Sequence, residues 1–420
     1  MRLLHTETLE LAEFIGEARP KYAILSHTWG SEEVLFQDMQ RGRRGLLASK
    51  KAGRDKVLRA AAVAKQNNLL YIWIDTCCID KSSSAELSEA INSMFAWYNK
   101  AAVCYAYIAD FDSTRPWSGP LSATRWLKRG WTLQELIAPT RVDFYDKNWV
   151  YFGDRASLAT SLSHTARIDE LALRWHREQE CPANLEKNRA AGKDAPTYLL
   201  PWVPCRFCCR NVSDMLESFS VATRMSWASH RKTTREEDTA YSLLGIFGVN
   251  MPLLYGEGSA AFLRLQHEIV RKSTDQSIFA WSKDYFVETD QSSPKECLRT
   301  VLFARSPSWF HPPLYFPTDK QGGPLAPMLL SSVGVEIDVH IAPFKDMEGL
   351  WIAILDCAGV GDSLTSPALL LRETSSTSRI RAFTRQMLPS GRSLFPVNGS
   401  HDIVWISQVP VCWFILLSTL

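Results

Sequence analysis

Tyr71-Ile72-Trp73-Ile74-Asp75-Thr76-Cys77-Cys78-Ile79-Asp80 begins with four aromatic or β-branched residues and turns polar at Asp75. Such a run reads as a buried strand that delivers Asp75 and the Cys77-Cys78 pair at its carboxyl end. Upstream, Tyr22-Ala23-Ile24-Leu25-Ser26 is a second apolar run, and it too ends in polar residues, His27-Thr28-Trp29-Gly30. Between the two, Val57, Ala60, Ala61 and Ala64 recur at i, i+3, i+4 and i+7, which predicts a helix over 55–67. Strand, helix, strand at this spacing predicts two parallel strands joined by a crossover.

Downstream, Leu87, Ile91, Met94, Phe95 and Tyr98 fall on one helical face, and Ser83 with Glu86 fits a capping box at its start. Residues 102–108 read as a third strand ending at Asp110-Phe111-Asp112, and 142–145 as a fourth. Between them 131–137 make one or two helical turns before Pro139 stops them. The pattern predicts an α/β fold, a doubly wound parallel sheet with ligand groups at the carboxyl ends of its strands.

Beyond 152 the pattern changes. Residues 176–214 are charged and helix-compatible to Lys193, then rich in Pro, Cys and Arg, and read as a linker holding an insertion or translated intron. Thr234 and Glu237 fit a second capping box, followed by apolar Ala240, Leu243, Leu244 and Phe247 before Gly248. A helix over 259–272 is expected to bury Phe262, Leu265 and Ile269. From about residue 276, Pro, Gly and Ser punctuate short β-prone runs at 335–341, 350–355 and 367–371. The expected organisation is an α/β domain over 1–152, a linker over 153–215, a helical extension over 216–275 and a smaller β-rich region over 276–420.

Composition limits the functions available. The 420 residues carry 47 Lys+Arg against 45 Asp+Glu, a net charge of +2, so no global field draws the chain to nucleic acid or membrane. Ten cysteines in that length are too sparse for a disulfide scaffold, which predicts reduced thiols and a cytoplasmic location. Residues 1–14 mix His5, Glu7, Glu10 and Glu13 among apolar ones, unlike a signal peptide. The apolar run 404–420 is interrupted by Gln408 and Pro410, so it reads as a strand rather than a membrane span.

Three stretches in this order, 22–30, 73–80 and Arg129-Gly130-Trp131-Thr132-Leu133-Gln134-Glu135-Leu136-Ile137-Ala138-Pro139, resemble the fungal heterokaryon incompatibility (HET) domain. Met225-Ser226-Trp227-Ala228 and 250–258 resemble the region that follows this domain in relatives. The resemblance implies non-self recognition and the triggering of cell death. It also implies partners: self-association, or another incompatibility or signalling protein. HET domains are in turn similar to TIR domains, some of which cleave NAD with a glutamate in a Trp-x-x-x-Glu turn. That likeness makes Glu135 the candidate catalytic residue and NAD a substrate rather than a cofactor. Trp131, Ser26, His27, Asp75 and Trp29 are then the substrate-binding candidates.

Each candidate has a plainer alternative. Glu135 reads equally as a helix-end carboxylate paired with Arg129 or Arg141, Asp75 as a loop-orienting acceptor, and Glu86 as a cap. Glu89 projects away from the apolar face. Ser26 and His27 are adjacent on a strand, point to opposite faces and cannot readily activate one another. Cys77 or Cys78 with His27 would make a thiol hydrolase, though buried thiols usually only pack. Cys205, Cys208 and Cys209, even with His176 and Cys181, give one CxxC without a matched second pair, so no metal site is assigned. Gly256-x-Gly258 reads as a turn before a helix rather than a dinucleotide loop. His230-Arg231-Lys232 reads as a short solvated basic patch.

Overall fold

The computed structural model describes residues 1–177 without 17, 41 and 116–120, then 208–281, 302–310, 327–331, 334–343, 350–355, 357, 368–376, 380–386 and 413–418. Its contacts divide the chain into two compact units. The first is Met1–Leu216 with Arg231–Thr234 and Tyr241–Leu253; the second is Glu217–His230 with Arg235–Ala240 and Leu254–Leu420.

The first unit is built on a seven-stranded sheet in the order β2-β1-β4-β3-β5-β6-β7. Its strands are β1 (Arg2–His5), β2 (Leu11–Glu13), β3 (Tyr22–His27), β4 (Tyr71–Trp73), β5 (Val103–Ile108), β6 (Val142–Asp146) and β7 (Tyr151–Asp154). The four strands expected from sequence are the parallel centre, with Ile24 opposite Trp73, Ser26 opposite Ala106 and Tyr105 opposite Asp143. All six residues of β3 are buried, as expected of a central strand covered on both faces. The chain runs from β3 to β4 on one side, then crosses back to β5 on the other. Strand order therefore reverses between β3 and β5, and a ligand crevice is expected at their carboxyl ends.

The helices named below are α1 (Phe36–Met39), α2 (Gly42–Ala48), α3 (Gly53–Gln66), α4 (Asp75–Cys78), α5 (Ser84–Lys100), α6 (Arg125–Lys128) and α7 (Thr132–Ile137). Helix α3 buries the predicted Val57, Ala60, Ala61 and Ala64. Helix α5 buries Ile91, Met94 and Tyr98 as predicted, but Ala90 and Trp97 replace Leu87 and Phe95 on the covered stripe. Trp97 lies edge-on to Trp73, 5.6 Å away, and this aromatic contact accounts for the rotation. The capping box is only half formed. Ser83 accepts the Glu86 N–H at 3.3 Å, while the Ser83 N–H goes to Asp80 O. Glu86 instead accepts from Arg2 and from the Asp80 N–H.

The helix expected after Glu237 is broken into Asp238–Tyr241 and Leu244–Phe247, the latter ending at Gly248 with φ 61°. Glu237 does not reach back as a cap; its carboxylate accepts the N–H groups of Gly256 at 2.7 Å and Gly258 at 3.2 Å. That contact fixes the glycine turn in front of the helix Ala260–Lys272, which buries Phe262, Leu265 and Ile269 as predicted.

The second unit carries a smaller sheet of β10 (Leu329–Ser331), β11 (Gly334–Pro343), β12 (Leu350–Ile354), β13 (Ala368–Ser376), β14 (Ile380–Gln386) and β15 (Trp413–Ser418). Strand β11 pairs with β12 on one edge and β15 on the other, and β15 pairs with β14 in parallel. Strands β11 to β15 thus close into a ring. The expected strand at the apolar 404–420 run is β15; residues 404–412 lie outside the described residues. So do the charged stretch to Lys193, Cys181 and Cys205. His176–Arg177 (β8) and Cys208–Cys209 (β9), in the first unit, form a separate two-residue parallel pair. No described helix is long and apolar enough to cross a membrane.

Candidate functional site

The one or two helical turns expected over 131–137 form helix α7, and all six of its residues are buried. The backbone explains this. Gly130 donates its N–H to Lys232 O at 2.9 Å, and a Cβ on Gly130 would lie 2.5 Å from Thr233 Cγ2, so only glycine lets the two segments touch. Arg231 then turns inward, its Nη1 reaching Arg129 O at 3.0 Å and Thr132 Oγ1 at 2.9 Å. Burial pushes its guanidinium down to about 9, against the pull of Glu135. Arg231 is therefore a structural cation, not part of a solvated basic patch.

Glu135 is 7% exposed and pairs with neither expected arginine. Arg141 is taken by Asp143 at 2.8 and 2.9 Å. The Glu135 Oε2 accepts the Ser26 hydroxyl, and Ser26 Oγ in turn accepts Trp126 Nε1–H at 2.8 Å. Burial is the largest influence on the Glu135 carboxyl and pushes it up to about 8. The Ser26 hydrogen bond opposes that rise, the Asp75 charge adds to it, and Arg129 and Tyr98 oppose it. Glu135 therefore holds its proton at neutral pH.

Asp75 lies at the opposite limit. It begins α4, directly beyond β4, and its acceptors meet side chains rather than loop N–H groups. His27 Nε2 is 3.0 Å from Oδ1, Trp29 Nε1–H donates to Oδ2 at 2.8 Å, and Lys81 Nζ is 3.6 Å away. Burial would raise its carboxyl, but Lys81, His27 and Trp29 together hold it well below the usual carboxylate range. The chain of contacts continues outward: His27 Nδ1 is 2.8 Å from Lys56 Nζ, and Lys56 reaches Glu33 Oε1 at 2.5 Å. Ser26 faces Glu135 while His27 faces Asp75, so the two neighbours serve opposite sides of β3 as their strand spacing required.

The remaining candidates separate. Trp131 is half-buried, one helical turn before Glu135. Trp29 is 38% exposed and carries Lys81 Nζ 3.5 Å from its ring centroid. Glu86 lies in its contacts with Arg2 and Asp80, away from this cluster. Cys77 and Cys78 are buried and turned to the Ile74 backbone. The Cys78 hydrogen bond and burial push the Cys77 thiol well up, which opposes formation of a nucleophilic thiolate. Sequence reasoning missed Glu33, Lys56, Lys81, Trp126 and Arg231. Lys81 follows the Cys77-Cys78-Ile79-Asp80 motif directly and was the nearest signal; the others come from distant elements that only the fold brings together.

With this sheet and cluster in place, the family described as "Heterokaryon incompatibility protein (HET)" matches residues 22–117 of the chain. A "Domain of unknown function (DUF8212)" matches 260–310. The chain is similar to the "Vegetative incompatibility protein HET-E-1" of Podospora anserina, 40% identical over 262 residues. That alignment covers 60% of this chain and 16% of the relative, so the chain spans about a sixth of the relative it matches. No solved structure matches it.

Proposed function

We propose that the chain is a cytoplasmic incompatibility effector that brings about fungal cell death by TIR-like cleavage of NAD at its nicotinamide–ribose bond. The observation that carries this is the pair of carboxyls, Glu135 raised to about 8 and Asp75 depressed, which sense one another near the reversal of strand order. Two acids pushed apart in this way divide the labour of a glycosidic cleavage. Asp75, ionised, stabilises the positive charge that develops on the ribose as nicotinamide leaves with the bonding electrons. Glu135, protonated and hydrogen-bonded to Ser26, holds a ribose hydroxyl, releases its proton to solvent as that cation forms, and regains one from the attacking water. Water completes the reaction at the anomeric carbon, giving ADP-ribose and a proton.

The test is inducible expression of wild type and Glu135→Gln in a fungal host, following viability and cellular NAD together with protein level. Death preceded by NAD loss, both abolished in the variant, supports the reading. Death that persists in the variant with NAD intact removes it.

A second reading is a non-enzymatic module that assembles with copies of itself or with another signalling protein and recruits a downstream effector. It is favoured by β7, an edge strand of the sheet, where Tyr151 is 50% exposed and Val150, just before the strand, 43%. Toxicity that survives Glu135→Gln but falls with Tyr151→Lys belongs to this reading.

A further inference from the structure

Trp29, at the carboxyl end of β3 where a ligand crevice is expected, has two cations over its ring. The Lys81 ammonium lies on the Trp29 ring and makes no hydrogen bond, its contact with Asp75 being 3.6 Å long. The Arg129 guanidinium lies 5.7 Å from the same ring, and its side chain makes no ion pair among the described residues. Thr28 Oγ1 and Thr76 Oγ1, from residues 6% and 1% exposed that adjoin Trp29 and Asp75 in sequence, are buried and without hydrogen-bond partners among the described residues. Glu33 Oε2 is also buried and unpartnered, although its other oxygen is held by Lys56 and by the Gly30 N–H at 2.6 Å. Buried polar atoms left without partners cost stability unless a ligand or an ordered water meets them.

We infer that Trp29, Lys81 and Arg129, with Thr28, Thr76 and Glu33, form the recognition site for the phosphate-bearing part of a nucleotide. Two cations beside an indole suit a phosphate next to a base or ribose: the ammonium has three donors and bridges Asp75 to a phosphate oxygen, and the guanidinium offers a planar fork. The threonine hydroxyls donate to the same anion, and Glu33 Oε2 accepts from a sugar hydroxyl. Lys81 on the Trp29 ring holds the place that the ligand takes, so binding moves the ammonium onto phosphate and clears one face for stacking. This rests on the crevice being the substrate site proposed above, and it adds the chemical class and the residues that select it.

The experiment is calorimetric titration of the intact chain with AMP, adenosine and inorganic phosphate, in wild type, Lys81→Met and Arg129→Gln, with folding checked by circular dichroism. AMP is expected to bind about tenfold or more tighter than adenosine, as a charge-assisted contact provides, and each variant to lose that margin while keeping adenosine affinity. AMP binding no tighter than adenosine, or unchanged in both variants, overturns the site. Should Lys81→Met not fold, Arg129→Gln makes the same comparison, since that side chain holds no hydrogen bond among the described residues. The two proposals fail separately. AMP binding with this pattern while NAD stays intact removes cleavage and keeps the phosphate site; NAD cleavage unaffected by both variants does the reverse.

Discussion

A single proton at Glu135 ties the chemistry of the first unit to its stability. The carboxyl's ordinary value is 4.5 and its folded value about 8, so the folded state binds the proton more tightly. The resulting stabilisation is complete below about pH 4.5 and is lost as pH rises through 8. Thermal melts from pH 5 to 9 should therefore show wild type losing stability on the order of a few kcal/mol more than Glu135→Gln. Parallel curves for the two proteins would contradict a buried, protonated Glu135. Much of this site was legible in the sequence: Ser26, His27 and Asp75 stand at the ends of apolar runs, where strands deliver polar groups, and Glu135 was implied by the family resemblance. Its partners were not. Trp126 joins Ser26 across a hundred positions of chain, and Lys56 lies on the otherwise ordinary helix α3, so no local pattern marks either.

Among the elements, the four central strands were readable because burial on both faces leaves them almost wholly apolar. Strands β1, β2 and β7 were not, being three or four residues long with half-exposed edges and charged members such as Arg2, Glu13 and Asp154. The β6–β7 hairpin owes its shape to one buried carboxylate. Asp146 accepts the N–H groups of Asn148 at 2.8 Å and Val150 at 3.0 Å, and the N–H and hydroxyl of Ser113 at 3.0 and 2.8 Å. Within that turn Trp149 takes φ 63°, a left-handed conformation costly for a bulky residue, and stacks on Tyr107 at 4.7 Å. Asp146→Ala leaves several donors unsatisfied at once and should cost about 2–4 kcal/mol. Hydrogen exchange should quicken first over 142–154. Loss spread evenly over the sheet would mean that the turn is not what Asp146 supports.

For the whole molecule, the β-prone runs beyond residue 276 announced strands but not their partners, because β11 meets β15 across a long stretch of intervening chain. Strand β15 closes the ring from both sides, with Leu416 opposite Glu336 of β11 and Ala382 of β14. Leu416→Pro removes a backbone donor from that doubly paired strand, and hydrogen-exchange protection should fall together over 334–339 and 380–383 while the β12–β13 ladder persists. Protection lost from only one of those two segments would show that the ring is not closed through β15. The closure also imposes a schedule on biosynthesis. Gly334 and its partner Ser418 are about 80 residues apart, which at roughly 5–20 residues per second is several seconds of translation. Through that interval a nascent β11 has been made without the neighbour that completes it, and it is then that a ribosome-associated chaperone has most reason to hold this chain.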